Sequence, residues 1–503
     1  MQFTSFRFLI FFPVAVLAYY VMPRRLRQLW LLLASYYFYM GWSANYALLI
    51  LTSTVITYLC ALAMERFGKQ ADADRRKRRL VLAAGIVSNL AILVFFKYFY
   101  FLHDIVAAIC SALGVELGAP RISILLPVGI SFYTFQALGY IIDVFRGTVK
   151  AEKNFVRYAL FVSFFPQLVA GPIERSGHLL GQLAKISDPE LSEKPWSFEK
   201  VTRGLLLILW GFFMKMVIAD RAAMLVNQVF DIYYMFSGVA LALAALLFAV
   251  QLYCDFASYS VIAMGAAKIL GIDLMTNFEA PYFSRSISEL WRRWHVSLSS
   301  WLRDYVYIPL GGNRCSRVRK YFNTMVTFAV SGIWHGASWH FAAWGVIQGV
   351  YIIAGDLLRP VKLKLINWFH VRTKTSGYQF FQVLCTFCLY ALSLVFFRAG
   401  TIRDAVYYIR RMFGTFDVWS LFDESIYQLG LDRKEMGVLW LGILILLIVD
   451  ACYARRQALF DTLVKGQCLA VQYGIVAVLI VMVIVFGVYG EGYNASQFIY
   501  FQF

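Results

Sequence analysis

The chain has 503 residues, of which 60% are hydrophobic, 17% aromatic and only 15% charged. Soluble domains carry about 25% charged residues, and one water-soluble core cannot hide 44 Phe, 31 Tyr and 13 Trp. The composition therefore excludes a soluble enzyme, a disordered chain and a fibrous one, and it leaves a polytopic membrane protein. The net charge of +18 would suggest nucleic acid in a soluble chain, whereas in a membrane chain it reflects basic cytoplasmic loops.

Apolar runs of about 17 to 25 residues can cross a bilayer as helices. In chain order we predict spans near 5–22, 29–41, 44–64, 80–102, 122–144, 155–172, 204–222, 238–264, 321–340, 342–358, 379–397, 437–453 and 470–489. The runs at 29–41 and 155–172 are expected to be re-entrant or tilted. Because backbone facing lipid must satisfy its own hydrogen bonds, the prediction is an all-α protein with roughly 10 to 13 membrane helices.

The positions of the basic residues predict the orientation of these spans. The basic cluster RRLR at 24–27 follows the first apolar run, whereas the basic cluster of a signal peptide precedes its apolar run. We therefore predict that this run is a membrane span whose first residues lie outside. The loops at 24–27, 65–79, 145–154, 265–320, 359–374 and 454–466 then carry 30 Lys and Arg, against 7 in the loops at 103–121, 223–237, 398–436 and 490–503. This asymmetry obeys the positive-inside rule and places the C-terminus outside, provided that 155–172 returns to its starting side.

Three longer polar stretches, 173–203, 265–320 and 398–436, interrupt the spans. The second is predicted as a cytoplasmic interfacial region and the third as an external segment with an amphipathic helix around 405–413. No internal repeat or separable soluble domain is evident. We therefore predict one membrane-embedded domain over 1–503 that ends in an aromatic tail at 490–503.

His335 lies in TMVTFAVSGIWHGASWHFAAWGVIQGV, among apolar, aromatic and small residues. Polar residues at membrane depth are costly and are commonly functional, and a neutral imidazole there suits a general base. The alternative is a hydrogen-bonded packing histidine. His340 follows at i+5, off the face that i+3 and i+4 share, and the segment has no Cys, Asp or Glu, so we predict no metal site. Small residues at helical spacing predict close helix packing: Gly332, Gly336, Gly345 and Gly349.

Residues 277–314 join basic, aromatic and histidine side chains near the cytoplasmic face: Trp291, Arg292, Arg293, Trp294, His295, Trp301, Arg303 and Asp304. The pattern over 286–301 predicts one amphipathic helix at the membrane surface, and an aromatic anchor belt is the simpler interpretation of its tryptophans. Basic groups here could instead hold the phosphates of an acyl donor. The candidates for that donor mouth are Arg292, Arg293, Trp294 and Arg303. No Walker or GxGxxG motif supports ATP or NAD.

Asp255 lies inside the apolar run QLYCDFASYS. A buried carboxylate is either a proton site or a structural partner for a basic group, and we favour the structural role. Arg157, Lys215 and Lys97 are the possible partners.

Five blocks of the chain together resemble one known family: LLPVGISFYTFQALGYIIDVFRG, FFPQLVAGPIERSGHLLGQL, YCDFASYS, SISELWRRWHVSLSSWLRDYVYIPLGGNR and SGIWHGASWHFAAWG. They resemble the membrane-bound O-acyltransferase (MBOAT) family, and most of all its bacterial branch that includes the alginate O-acetyltransferase membrane subunit. The resemblance runs from the first span to the end of the chain. WRRWHVSLSSWLRDY followed by WHG is its most specific part.

The resemblance implies a helical core around a tunnel or funnel that joins the two membrane faces. It carries the central catalytic histidine onto His335 and the second signature histidine onto His295. It further implies a bacterial inner-membrane O-acyltransferase with no tightly bound cofactor and with acetyl-CoA as the cytoplasmic donor. The acetyl group would emerge outside, where an esterase-like partner protein passes it to a polysaccharide such as alginate, another exopolysaccharide or peptidoglycan. No nucleic-acid partner is expected.

The ending FIYFQF resembles the C-terminal motif of a small membrane partner used in teichoic-acid D-alanylation, whose transferase is in the same family. That similarity implies that Tyr500 accepts the acyl group and relays it outward as a phenyl ester. The alternative is an aromatic interfacial anchor. Two other functions remain open at this point: D-alanyl transfer to teichoic acid, and non-enzymatic transport of a polymer or lipid.

Overall fold

The computed structural model describes residues 1–67, 72–120, 124–187, 197–455, 467–489 and 498–499. Over these residues the regular secondary structure consists of helices and includes no strand, which confirms the all-α prediction. Contacts divide the chain into two compact units, the first made of 1–208 with 260–275 and the second of 209–259 with 276–503. Tyr500 lies outside the described residues.

Among the described residues up to 187, the chain forms eight α-helices: α1 (Phe6–Val21), α2 (Arg24–Met40), α3 (Ala44–Arg66), α4 (Asp72–Leu93), α5 (Phe99–Ala112), α6 (Ile130–Arg146), α7 (Phe155–Ser163) and α8 (Ser176–Ser187). Helix α3 packs against α4 and α6. A left-handed Gly147 ends α6, where the amide of Thr148 donates to the carbonyl of Asp143 at 3.1 Å. Glycine adopts that conformation without the strain of a Cβ atom.

The described residues from 197 onwards contribute twelve α-helices: α9 (Phe198–Phe212), α10 (Asp220–Asp231), α11 (Gly238–Ile269), α12 (Ile287–Arg293), α13 (Val296–Leu302), α14 (Arg317–His335), α15 (Trp339–Leu357), α16 (Arg359–Trp368), α17 (Ser376–Arg398), α18 (Ile402–Gly414), α19 (Arg433–Ala454) and α20 (Leu469–Phe486). Three π-helical turns occupy Val94–Tyr98, Phe213–Ala219 and Arg303–Tyr307, and single 3-10 turns occupy Tyr233–Met235, Pro281–Phe283, Val418–Leu421 and Ser425–Gln428. Helix α18 covers the amphipathic helix predicted around 405–413 and buries Ala405, Tyr408 and Met412 along one side.

Length and composition identify the helices that can cross a membrane. Six stretches of the described chain qualify: Ala44–Arg66, Ala73–Ala112, Phe198–Asp231, Gly238–Ile269, Ser376–Arg398 and Arg433–Ala454. The pair Trp339–Leu357 and Arg359–Trp368, bent by 50°, makes a seventh if it is one span, and α1 and α20 are shorter apolar helices. Within the predicted span at 155–172, α7 has only nine residues and is followed by turns. Such irregular backbone is tolerated at membrane depth when protein buries it.

Helices α14 and α15 form a hairpin whose two backbones meet at Gly332 and Gly345. A Cβ atom on Gly345 would lie 2.9 Å from the Cα of Gly332 and would also collide with the carbonyl oxygen of Phe328. The small residues seen in the sequence therefore allow this close approach. His335 is the last residue of α14, so this close approach helps to position it.

We expect Gly345→Val to destabilise the protein by roughly 1–3 kcal/mol, because the added side chain must push α14 and α15 apart. The matched control is Gly355→Val in the same helix, where an added Cβ atom meets nothing within 4 Å. The measurement is the thermal unfolding midpoint in detergent. Equal midpoints for the two variants would contradict the close packing described here.

Candidate functional site

His335 is the last residue of α14, and its side chain is enclosed by aromatic rings. The residue is only 4% exposed. Its imidazole centroid lies 5.1 Å from the ring of Trp344 and 5.5 Å from that of Phe397, both nearly perpendicular to it. The helix ends because Gly336 is extended, and a Cβ atom there would collide with the ring of Phe341. An imidazole in such an apolar setting can exchange a proton with a reactant that enters the site.

His295 occupies the break between α12 and α13 and is fully buried. The single amphipathic helix predicted over 286–301 is therefore wrong: His295 has a left-handed φ of 44°, and two short helices replace the long one. The amide of Val296 donates to the carbonyl of Asn277 at 2.9 Å, and that of Glu279 donates to Arg293 at 2.9 Å. Backbone groups at the break between the two helices are therefore hydrogen-bonded to residues 277 and 279 instead of within one helix.

Trp334 brings the two histidines into one site. Its indole lies 5.0 Å from the ring of His335 and 5.8 Å from the ring of His295, centroid to centroid. On its other side His295 contacts Phe256 at 4.6 Å. The two histidines that the sequence resemblance singled out, 40 positions apart in the chain, therefore share one aromatic neighbour.

His340 has a structural role instead. Its Nδ1 lies 3.1 Å from the carbonyl oxygen of Phe396, so the ring donates a hydrogen bond that links α15 to α17. No three His, Cys, Asp or Glu side chains form a metal-binding group within the described part of the chain.

A buried amide that sequence reasoning missed ties the elements of the site together. Gln348 of α15 accepts a hydrogen bond from Trp291 Nε1 at 3.1 Å and donates one to Ser393 Oγ at 2.6 Å. It thereby connects α12, α15 and α17. The signal available in the sequence was a glutamine within an apolar helix. Such a glutamine indicates hydrogen-bond partners inside the protein, because buried polar groups must be hydrogen-bonded.

The four donor-mouth candidates lie in different environments. Arg292 is exposed, Arg303 pairs with the neighbouring Asp304 at 2.9 Å, and Arg293 pairs with Glu289 of its own helix at 2.7 Å. Trp294 is buried and packs against Tyr253, Tyr282 and other rings of the second unit. Because Trp291, Trp294 and Trp301 are all buried, the interpretation of these tryptophans as a surface anchor belt is wrong.

Arg293 also lines a cavity of about 770 Å³ within the second unit. On α19 the lining residues are apolar at Trp440, Ile443 and Leu446. Near the end of this helix the lining also includes the charged residues Asp450 and Arg455. Arg285 contributes a third guanidinium to the lining. Asp450 accepts a hydrogen bond from Tyr253 at 3.2 Å. Neither His295 nor His335 belongs to the lining, but Tyr253 and Tyr282 on this wall contact Trp294, the neighbour of His295.

Asp255 has the structural partner that the sequence suggested. Of the three basic residues considered, Lys215 is the partner, with its Nζ 2.5 Å from Asp255 Oδ1 and 2.8 Å from Asp220 Oδ1. Arg157 pairs with Glu152 instead. Sequence reasoning missed Asp220 because residues five apart do not face each other on an α-helix. The π-helical turn Phe213–Ala219 has wider turns, which bring Lys215 and Asp220 to the same side.

The block GPIERSGHLLGQL forms a second polar cluster, within the first unit. Glu174 is buried and accepts hydrogen bonds from the amide of Met275 at 2.5 Å and from His178 Nδ1 at 2.7 Å. The hydrogen bond to Glu174 raises the pKa of His178. Gln182 exchanges two further bonds of 2.8 Å with the backbone of Asp273. The cluster fastens α8 to the segment that follows α11.

Comparison with known proteins shows which family the chain resembles. The profile of MBOAT, the membrane-bound O-acyltransferase family, matches residues 149–397, which contain His295 and His335. The chain is 36% identical to the probable alginate O-acetylase AlgI of Azotobacter vinelandii, over 91% of this chain and 85% of that protein. Its identity to the Pseudomonas aeruginosa protein of the same description is also 36%, over 91% and 82%. Its identity to the peptidoglycan O-acetyltransferase of Helicobacter pylori is 31%, over 80% and 78%.

Similarity of this extent, together with the apolar helices, identifies the kind of protein. The chain belongs to the membrane-bound O-acyltransferase family and is a multi-pass membrane O-acyltransferase.

Proposed function

We propose that the protein moves an acetyl group from a cytoplasmic thioester, acetyl-CoA, across the bacterial inner membrane for O-acetylation of an extracytoplasmic polysaccharide. The observation that carries this proposal is the buried pair His335 and His295, joined by Trp334. The relatives described as alginate O-acetylase and peptidoglycan O-acetyltransferase support acetyl as the acyl group and a polysaccharide as the final acceptor.

His335 acts as the general base in this proposal. The acceptor hydroxyl oxygen attacks the thioester carbonyl while His335 takes the hydroxyl proton. The carbon–sulfur bond then breaks, and the imidazolium returns the proton to the departing thiolate. His295, held by Phe256 and Trp334, positions the reactants. The thioester supplies the activation, so the step needs no other cofactor.

The arginine-lined cavity supports a place for the donor on the cytoplasmic side. Arg285, Arg293 and Arg455 offer guanidinium groups to phosphates, which they can bind in bidentate fashion. Tyr253 and Tyr282 lie between that cavity and Trp294. A donor held there would have its thioester end directed towards the aromatic layer in front of His295.

Tyr500 is the proposed first acceptor. Its phenol would take the acetyl group as a phenyl ester and pass it to an extracytoplasmic esterase-like partner protein, with the C-terminus outside. What supports this role is the burial of the two residues before it, Phe498 and Ile499. A phenyl ester keeps much of the reactivity of the thioester, so the second transfer remains favourable.

The relay predicts a covalent acetyl group on the protein. Purified protein incubated with labelled acetyl-CoA should release CoA and carry label on Tyr500, located by mass spectrometry, and Tyr500→Phe should lose that label. A Tyr500→Phe strain should also lose polymer acetylation. Normal acetylation by that strain would contradict the relay, and label accepted only from a D-alanyl carrier thioester would favour teichoic acid as the pathway.

A further inference from the structure

The last described residues of the chain are packed into the second unit. Phe498 and Ile499 are only 5% and 6% exposed. The ring of Phe498 lies 5.1 Å from that of Tyr259 and 6.0 Å from that of Phe256, both on α11. Ile499 belongs to the apolar core that this helix shares with α10 and α19.

Asp255 binds this segment through its backbone. The amide of Ile499 donates a hydrogen bond of 2.8 Å to Asp255 Oδ2, while Oδ1 of the same carboxylate receives Lys215. Lys215 also holds Asp220, so its single positive charge serves two buried carboxylates. The second oxygen of Asp255 is therefore well suited to a charge-assisted bond from an amide, which is stronger than a neutral one.

The docked segment lies next to the histidine site. Phe256, the residue after Asp255, contacts both Phe498, at 6.0 Å, and His295, at 4.6 Å. One aromatic ring thus separates the C-terminal segment from the signature histidine. An ion pair between Lys215 and Asp255 alone would not require the second oxygen of Asp255 to bind the amide of Ile499.

We propose that Lys215 and Asp255 form a socket that holds the C-terminal segment at Ile499, one residue before Tyr500, beside His295. The proposal rests on the acyl transfer proposed above and makes Asp255 a positioning residue, without contact to the reacting atoms. The group that the socket recognises is the backbone amide of Ile499, while the side chain of this residue packs in the apolar core.

The test separates docking from chemistry. Ile499→Pro removes the N–H group but leaves Lys215 and Asp255 unchanged, and Ile499→Val keeps the N–H group as the matched control. The first readout is the ratio of labelled acetyl transferred to Tyr500 and to an added soluble phenol, N-acetyltyrosine amide. We expect Ile499→Pro and Asp255→Ala to lower this ratio at least tenfold, and Ile499→Val to keep it within twofold of wild type.

The second readout is hydrogen exchange of the C-terminal peptide, which does not depend on acyl transfer. We expect protection of this peptide in the wild type and loss of protection in Asp255→Ala. An unprotected wild-type peptide, or a wild-type ratio in both Ile499→Pro and Asp255→Ala, would overturn the socket. Absence of transfer to either phenol in the wild type would refute the proposed relay, while the exchange result would still decide whether the segment docks.

Discussion

Replacement of His335 by glutamine is expected to abolish acetylation and to leave the protein folded. General acid–base catalysis contributes roughly 10²- to 10⁴-fold in rate, and glutamine cannot accept the acceptor proton. The side chain has a similar size, so the aromatic enclosure formed by Trp344 and Phe397 should persist. The measurement is the O-acetyl ester content of the polymer, with the unfolding midpoint of the purified variant recorded beside it.

His340→Gln is the matched control for this result. It lies on the same helical hairpin, and its imidazole donates to the carbonyl of Phe396. We expect a small loss of stability and an ester content close to that of wild type. Wild-type acetylation by His335→Gln, or an equal loss in both variants, would contradict the assignment of His335 as the base.

The second large effect is expected at Lys215. Lys215→Met leaves Asp220 and Asp255 buried without their shared cation, and breaking a buried ion pair from one side costs about 3–5 kcal/mol. Adding Asp220→Asn and Asp255→Asn to this variant removes both charges and should restore part of the loss. The measurement is the thermal unfolding midpoint in detergent.

Lys320→Met provides the comparison. Lys320 pairs with Asp356 at 2.9 Å, but both side chains are about one-third exposed, at 36% and 35%. Water already solvates such a pair, so its loss should leave the unfolding transition nearly unchanged. Equal effects of Lys215→Met and Lys320→Met would contradict the burial of the Lys215 cluster.

The sequence was sufficient for the class of the fold, and it also singled out His295 and His335 as candidates. Hydropathy predicted a helical membrane protein, because backbone that faces lipid must form its hydrogen bonds internally and a helix does so within one segment. The motifs around His295 and His335 lie 40 positions apart in the chain, and the structure shows that both imidazoles contact Trp334. The four-residue spacing of Gly332 with Gly336 and of Gly345 with Gly349 predicted close helix packing, and α14 and α15 do approach closely at Gly332 and Gly345.

Features that depend on tertiary contacts could not be predicted. The amphipathic pattern over 286–301 continues across His295. In the structure the helix is broken there, and the amide of Val296 donates its hydrogen bond to the carbonyl of Asn277. Lys215 and Asp220 meet only because the helix locally adopts π geometry. The bond between Ile499 and Asp255 joins positions 244 residues apart, beyond the reach of any periodicity.

The proposal that His335 catalyses acetyl transfer from a cytoplasmic thioester has one direct test. Purified wild-type protein and His335→Gln are reconstituted in liposomes, and labelled acetyl-CoA is added to the cytoplasmic side. We expect release of CoA with stoichiometric transfer of label to the protein or to an external phenol in the wild type, and neither in His335→Gln. Equal transfer by the two proteins, or no use of acetyl-CoA by the wild type, would contradict it.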